Sequence, residues 1–233
     1  MSDQNYTLTS SAEARDRSVL RNVYMWMTAG LALTGIVAYG VANNPRLLHT
    51  IFSSQFNFIA IIIAQFILVI VLSARIMKMS VGAATICFAA YAALTGVTMS
   101  LVFIVYTGSS VASAFFITAG TFAGMSLWAV TTKRDLSGMG SYLMMGLWGV
   151  IIASVVNIFL KSSGFNWLIS FAGLALFIGL TAYDTQVIKR WNREAGSADE
   201  GTFVRISILG ALRLYLDFIN MFLYMLRFFG KRR

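Results

Sequence analysis

Between residues 23 and 229 the chain alternates long apolar stretches with short polar connections, and this alternation constrains the fold more than any other feature. The stretches cover 23–42, 56–74, 81–106, 110–131, 141–160, 166–188 and 205–229. At about 1.5 Å per residue, roughly 20 residues cross the 30 Å hydrocarbon core of a bilayer. Inside lipid the backbone must satisfy its own hydrogen bonds, which leaves helices or closed barrels. Barrel strands would alternate polar and apolar residues over about ten positions, whereas these runs are continuously apolar. The sequence therefore predicts an all-α membrane protein, a seven-transmembrane helix bundle.

Composition agrees: 58% of the 233 residues are hydrophobic and only 12% charged, against about 25% charged in soluble domains. Residues 1–21 read as a polar cytoplasmic tail that cannot bury a core, 22–230 as the transmembrane domain and 231–233 as a basic C-terminal end. The first apolar run is longer than the core of a signal peptide and precedes no small-residue cleavage site, so it is expected to remain as a span. The longest connection, 189–204, is polar, contains Gly196 and Gly201, and reads as a hydrated surface loop.

The formal net charge of +9 would suggest nucleic acid in a soluble protein. Here the cations sit in short loops and at helix ends, so they read as topogenic charge, and no nucleic-acid partner is expected. With the N-terminus in the cytoplasm, eleven Lys and Arg fall on the inside (residues 15, 17, 21, 75, 78, 133, 134, 189, 190, 193 and 205) and only Arg46 and Lys161 in the outside loops. One feature resists this assignment. If the seventh stretch crosses fully, Arg227, Lys231, Arg232 and Arg233 lie outside; if it re-enters, they return to the cytoplasm. The length of 205–229 favours a full span.

The one cysteine, Cys87, lies in an apolar stretch and reads as a small buried hydrophobe. The one histidine, His49, lies in a polar connection and cannot support a multi-histidine metal site. Gly120/Gly124 form a GxxxG pair, and Gly30, Gly35, Gly146, Gly149, Gly173 and Gly179 add small positions within spans; all are expected to serve packing within the chain. Trp26, Trp128, Trp167 and Trp191 fall near helix ends, where interfacial aromatics belong.

Ionisable residues within spans are costly and mark functional sites by default. Asp184 lies near the end of the sixth stretch and Asp217 near the middle of the seventh. Counted from the connection between them, their depths differ by roughly 12 Å at 1.5 Å per residue, an offset that helix tilt could close. If they meet, they cannot both ionise cheaply and would share a proton, titrating as a pair. If they do not, each needs its own partner, and Arg213 stands one turn before Asp217 on the same helix face. Arg75 ends the second stretch, either as an interfacial anchor that snorkels or turned inward onto a carboxylate. Gln65, Asn157, Thr95, Thr98 and Ser100 also lie within spans; the hydroxyls are expected to bond back to their own helix.

AYDTQ (182–186), ALRLYLDFINMFLYMLRFFG (211–230) and LTGVTMS (94–100) resemble the transmembrane Bax inhibitor motif family, over roughly residues 20–230. The LYLDFIN string is the specific part. The resemblance implies a bundle with the last helix central. It implies pH-sensitive calcium leak across a membrane, with restraint of cell death in eukaryotic members and association with a membrane protease in some bacterial ones. It further implies that Asp184 and Asp217 form a hydrogen-bonded dyad, the place for a transient calcium contact, and that Arg75 touches it. The chain departs from the family pattern at Gln65, where some relatives carry a glutamate, and at Arg213, where the position is usually uncharged.

Three functions compete on this reading. The first is a pH-sensitive cation leak, calcium being the expected permeant ion, with no bound cofactor. The second is a membrane-embedded regulator that binds a membrane protease or another complex through its basic tail and its longest loop. The third, an intramembrane hydrolase, is disfavoured: no histidine lies in a span to act as base, and GLTAYD is not a GxGD-like string. The expected location is a bacterial inner membrane.

Overall fold

The computed structural model describes residues 2–196 and 199–233, with side chains from Ser18 onward. Eight α-helices follow in chain order: α1 (Ser2–Ala42), α2 (Pro45–Phe52), α3 (Gln55–Arg75), α4 (Val81–Val105), α5 (Gly108–Thr131), α6 (Met139–Leu160), α7 (Ser163–Glu194) and α8 (Glu200–Phe229). All but α2 include a segment long and apolar enough to cross a membrane, so the described residues hold seven candidate spans, as the hydropathy predicts.

The polar reading of 1–21 needs correction at its end; side chains 1–17 lie outside the described residues. Val19 and Leu20 are buried, and α1 is continuous through them. Val19, Val23, Met27, Gly30, Thr34, Ala38 and Val41 form one buried stripe at helical spacing. Asp16 and Arg17 dilute the hydropathy just upstream, which hides the start of that stripe from a windowed reading. The connection at 189–204 is also shorter than expected. Helix α7 runs on to Glu194 and α8 begins at Glu200; 197–198 lie outside the described residues. His49 belongs to α2, where Asn44 caps the helix by accepting from the Arg46 and Leu47 amides.

The chain divides into two units, one of residues 1–105, 188–215 and 233, the other of 106–187 and 216–232. In the first, α1 packs on α4 at Gly96. A Cβ there would lie 2.7 Å from the Thr34 carbonyl oxygen and from Val37 Cβ. Thr34 donates its one hydroxyl proton to the Ala92 carbonyl at 2.9 Å. Its 2.7 Å contact with the Tyr215 hydroxyl is therefore donated by Tyr215. This chain fastens the first half of α8 to α1 and α4. Gln65 reaches from α3 to the Thr95 and Thr98 hydroxyls. Thr95, Thr98 and Ser100 donate to carbonyls of their own helix, as expected.

In the second unit, the first turn of α5 and the chain beyond α8 are tied together. The Thr107 amide donates to the Lys231 carbonyl at 3.1 Å, and the Lys231 amide to Ser110 Oγ at 2.9 Å. Tyr106 and Arg232 form an antiparallel bridge. This clasp and the unbroken 30-residue α8 decide between the two courses left open for the last stretch. It does not turn back on itself, and residues 230–233 lie beside the α4–α5 connection. Helix α8 is also the most buried span: 67% of its apolar window is buried, against at most 39% elsewhere and none in α6.

The glycines split. Gly30, Gly146, Gly173 and Gly179 lie against side chains of neighbouring helices. Gly120, Gly124, Gly35 and Gly149 have nothing within 4 Å of a Cβ, so the GxxxG pair does not serve the packing expected of it. Its helix buries the opposite face, through Val111, Ala114, Thr118, Phe122, Ser126 and Ala129. Asn157 accepts from the Ser162 amide at the end of α6 and so serves the helix terminus.

Candidate functional site

Asp184 on α7 and Asp217 on α8 both belong to the second unit, and both are buried, at 6% and 4% exposure. Their surroundings follow from the helices that carry them. On α7, Thr181 and Thr185 flank Asp184, fully buried, and donate to the Phe177 and Thr181 carbonyls at 2.8 and 2.7 Å. Back-bonding lets these hydroxyls sit in a helix interior without orphaned protons. On α8, Phe218 beside Asp217 packs edge-on against Phe115 and Phe122 of α5, with ring centroids 5.5 and 5.6 Å away.

The relative depth of the two carboxylates is fixed by the contact between their helices. Phe177 and Tyr224 pack with centroids 6.0 Å apart, and the Tyr224 ring fills the space left by Gly173. The helices run antiparallel at this contact. Asp184 lies seven residues after Phe177 and Asp217 seven before Tyr224. Seven residues make almost two full turns, so each aspartate shares a face with its aromatic partner, and the two stand at one depth on the faces that α7 and α8 turn toward each other. The 12 Å offset expected from the connection disappears. Asp184 stands ten residues, not five, before the end of its helix, because α7 continues to Glu194, and the two helices leave their connection with unequal overhang.

The Arg213 guanidinium lies over the Trp191 ring, 4.8 Å from its centre, a cation–π contact. Arg75 is exposed at the end of α3, with no hydrogen bond or ion pair among the described residues, the arrangement of an interfacial anchor.

Gln186 is the residue that sequence reasoning passed over, although it closes the AYDTQ string. Its carboxamide oxygen accepts from the Leu136 amide at 3.0 Å, and its nitrogen donates to the Arg134 and Ala129 carbonyls at 3.0 and 3.3 Å. One side chain two residues from Asp184 thus ties the α5–α6 connection at Arg134 and Leu136. Leu136 is drawn into a small core with Ala129 and Ala182, against which Tyr183 packs. The available signal was a carboxamide two residues after an aspartate, in the same quoted motif.

Two carboxylates offer too few oxygens for a resident calcium ion, which takes six to eight. The described residues contain no group of three or more His, Cys, Asp or Glu arranged to hold a metal.

A family profile described as "Inhibitor of apoptosis-promoting Bax1" matches residues 16–233. The inner membrane protein YbhL of Escherichia coli is 50% identical over 217 residues, 93% of each chain. Uncharacterized protein RP147 of Rickettsia prowazekii is 40% identical over the full length of both. A membrane protein of Streptococcus pyogenes, SpyM3_0260, is 35% identical over 90% of each. With its seven candidate spans and its match across nearly the whole chain, the protein is an integral membrane member of the Bax inhibitor family.

Proposed function

We propose that this protein is a pH-sensitive cation leak of a bacterial inner membrane, with calcium as the expected ion, N-terminus in the cytoplasm and no enzymatic activity. The observations that support the reading are the burial of Asp184 and Asp217 and the Phe177–Tyr224 contact, from whose register we infer that the two acids face each other at one depth. Facing acids in low dielectric share a proton. That proton is a latch between α7 and α8, and a change in proton count alters the attraction between them. Calcium is cargo that would meet the carboxylates in passing, with the rest of its oxygen shell supplied by water. The cytoplasmic N-terminus is supported by the eleven cations that this orientation places inside.

Flux of calcium and potassium into liposomes holding the purified protein, scanned from mildly acidic to mildly basic pH, tests the reading. A pH-dependent flux that Asp184→Asn and Asp217→Asn both flatten is the expected result. An unchanged pH profile in both variants sinks the gate. No flux above empty liposomes, with the protein folded, sinks the leak and moves the assignment to the regulator of a membrane protease or other complex, to be sought by copurification.

A further inference from the structure

The two ends of the spans differ in kind of charge as well as in amount. Because seven spans alternate, the connections after α1, α4 and α6 and the chain beyond α8 all emerge on one side. That side carries Arg46, Lys161, Arg227, Lys231, Arg232 and Arg233, all exposed, and none of the nine carboxylates of the chain. The opposite side carries eleven cations, but also seven carboxylates to offset them. The side poorer in Lys and Arg thus has no side-chain carboxylate beside its cations, whereas on the other side seven of the eleven are offset.

Half of these cations are held in place. Main-chain bonds tie Lys231 to Thr107 and to Ser110 Oγ, the Arg233 amide donates to the Val105 carbonyl at 3.0 Å, and Tyr106 bridges to Arg232. The clasp uses backbone groups of 231–233, so their side chains stay exposed. It fixes them at the height where α8 ends. That height is marked by aromatics: Trp167 stacks on Phe171 and meets Phe228 edge-on, and Trp167 and Phe229 are well exposed. Exposed aromatics of this kind sit at the headgroup level.

We propose that this face, which carries no Asp or Glu, is a docking surface for anionic phospholipid headgroups, with the clasped Lys231-Arg232-Arg233 segment as its main contact. Three consecutive cations held at headgroup height meet a plane of phosphodiesters without first losing the conformational freedom of a loose tail. The surface answers the charge bias that otherwise opposes exporting this tail. It is independent of whether the protein conducts ions.

The test uses the purified full chain in nanodiscs of phosphatidylcholine alone or with phosphatidylglycerol, read by the thermal unfolding midpoint. Phosphatidylglycerol should raise the midpoint by several degrees, and added salt should erode the gain, as screening requires. The triple variant K231Q/R232Q/R233Q keeps the backbone clasp; it should melt normally in phosphatidylcholine and lose at least half of the gain. The variant K133Q/R134Q, on the opposite side, should retain it. Inorganic phosphate in phosphatidylcholine nanodiscs should give no gain. The proposal is overturned if the triple variant keeps the full gain, if the two lipids are equivalent, or if free phosphate reproduces the effect.

Discussion

Phe177 and Tyr224 meet with ring centroids 6.0 Å apart, and two turns inward from that contact along each helix stand Asp184 and Asp217. The aromatic pair sets the register of α7 on α8, and that register predicts that the two acids face each other. Cysteines at 184 and 217, in a Cys87→Ser background, should cross-link under oxidation, since facing helical positions bring Cβ atoms near disulfide range. Cysteines at 184 and 224, two turns apart, should not. Mobility on non-reducing gels reads the result, and the reverse pattern would refute the register.

The Tyr215–Thr34–Ala92 chain gives two variants of unequal cost. Tyr215→Phe removes one donor and leaves a hydroxyl lone pair unfilled, which should cost about 1 kcal/mol. Thr34→Val takes away the acceptor of the buried Tyr215 hydroxyl, while the Ala92 carbonyl keeps its bond within α4, which should cost about 1–3 kcal/mol. Unfolding in mixed micelles ranks the two, and equal costs would contradict the donor assignment.

Gly96 and the Gly120/Gly124 pair should separate sharply. Gly96→Ala places a methyl against the Thr34 carbonyl and Val37 Cβ, parts of α1 that cannot swing aside; overpacking of this kind costs about 1–3 kcal/mol. Gly120→Ala and Gly124→Ala meet nothing within 4 Å and should change stability by less than about 0.5 kcal/mol. Thermal melts of the three proteins decide the matter.

Gln186→Ala should free the α5–α6 connection without unfolding the chain. The Leu136 amide and the Arg134 carbonyl lose their partner together, while Lys133 and Arg134 are exposed there to trypsin. Cleavage after these residues should accelerate several-fold over wild type. An unchanged cleavage rate would show that Gln186 does not hold the connection.

Asp199 starts α8 by accepting from the Thr202 hydroxyl at 2.6 Å and its amide at 3.2 Å. These bonds, with desolvation opposing them and Arg205 adding a smaller attraction, hold its carboxyl below the usual range. A carboxylate depressed in the folded state stabilises fully above its unfolded pKa of about 3.9. That contribution fades as pH falls through the lower, folded value. Asp199→Asn should therefore narrow the difference between melts at neutral pH and near pH 3. Because the group is exposed, the effect should be small and weaker at high salt.

Seven helices, their lipid exposure and the two costly acids were legible in the sequence, because each rests on local composition: a run of apolar residues about a bilayer thick, and a charge inside it. The hydroxyls of Thr95, Thr98 and Ser100 were legible for the same reason, their partners lying one turn away. The start of the buried face at Val19 was not, since one stripe of a helix is diluted by Asp16 and Arg17 in any window average. Neither was the outward turn of Gly120 and Gly124: a small residue shows that close approach is permitted, not that a neighbour takes it up.

What the sequence determined by itself was thus the solvent of this chain and the order of its spans. The tertiary structure alone decided which faces meet. Register between α7 and α8 comes from an aromatic filling the gap over a glycine, the grip on the α5–α6 connection from one carboxamide at Gln186, and the course of the last helix from main-chain hydrogen bonds between Thr107, Ser110 and Lys231. Such pairings join residues tens to more than a hundred positions apart, and no local pattern encodes the distance between them.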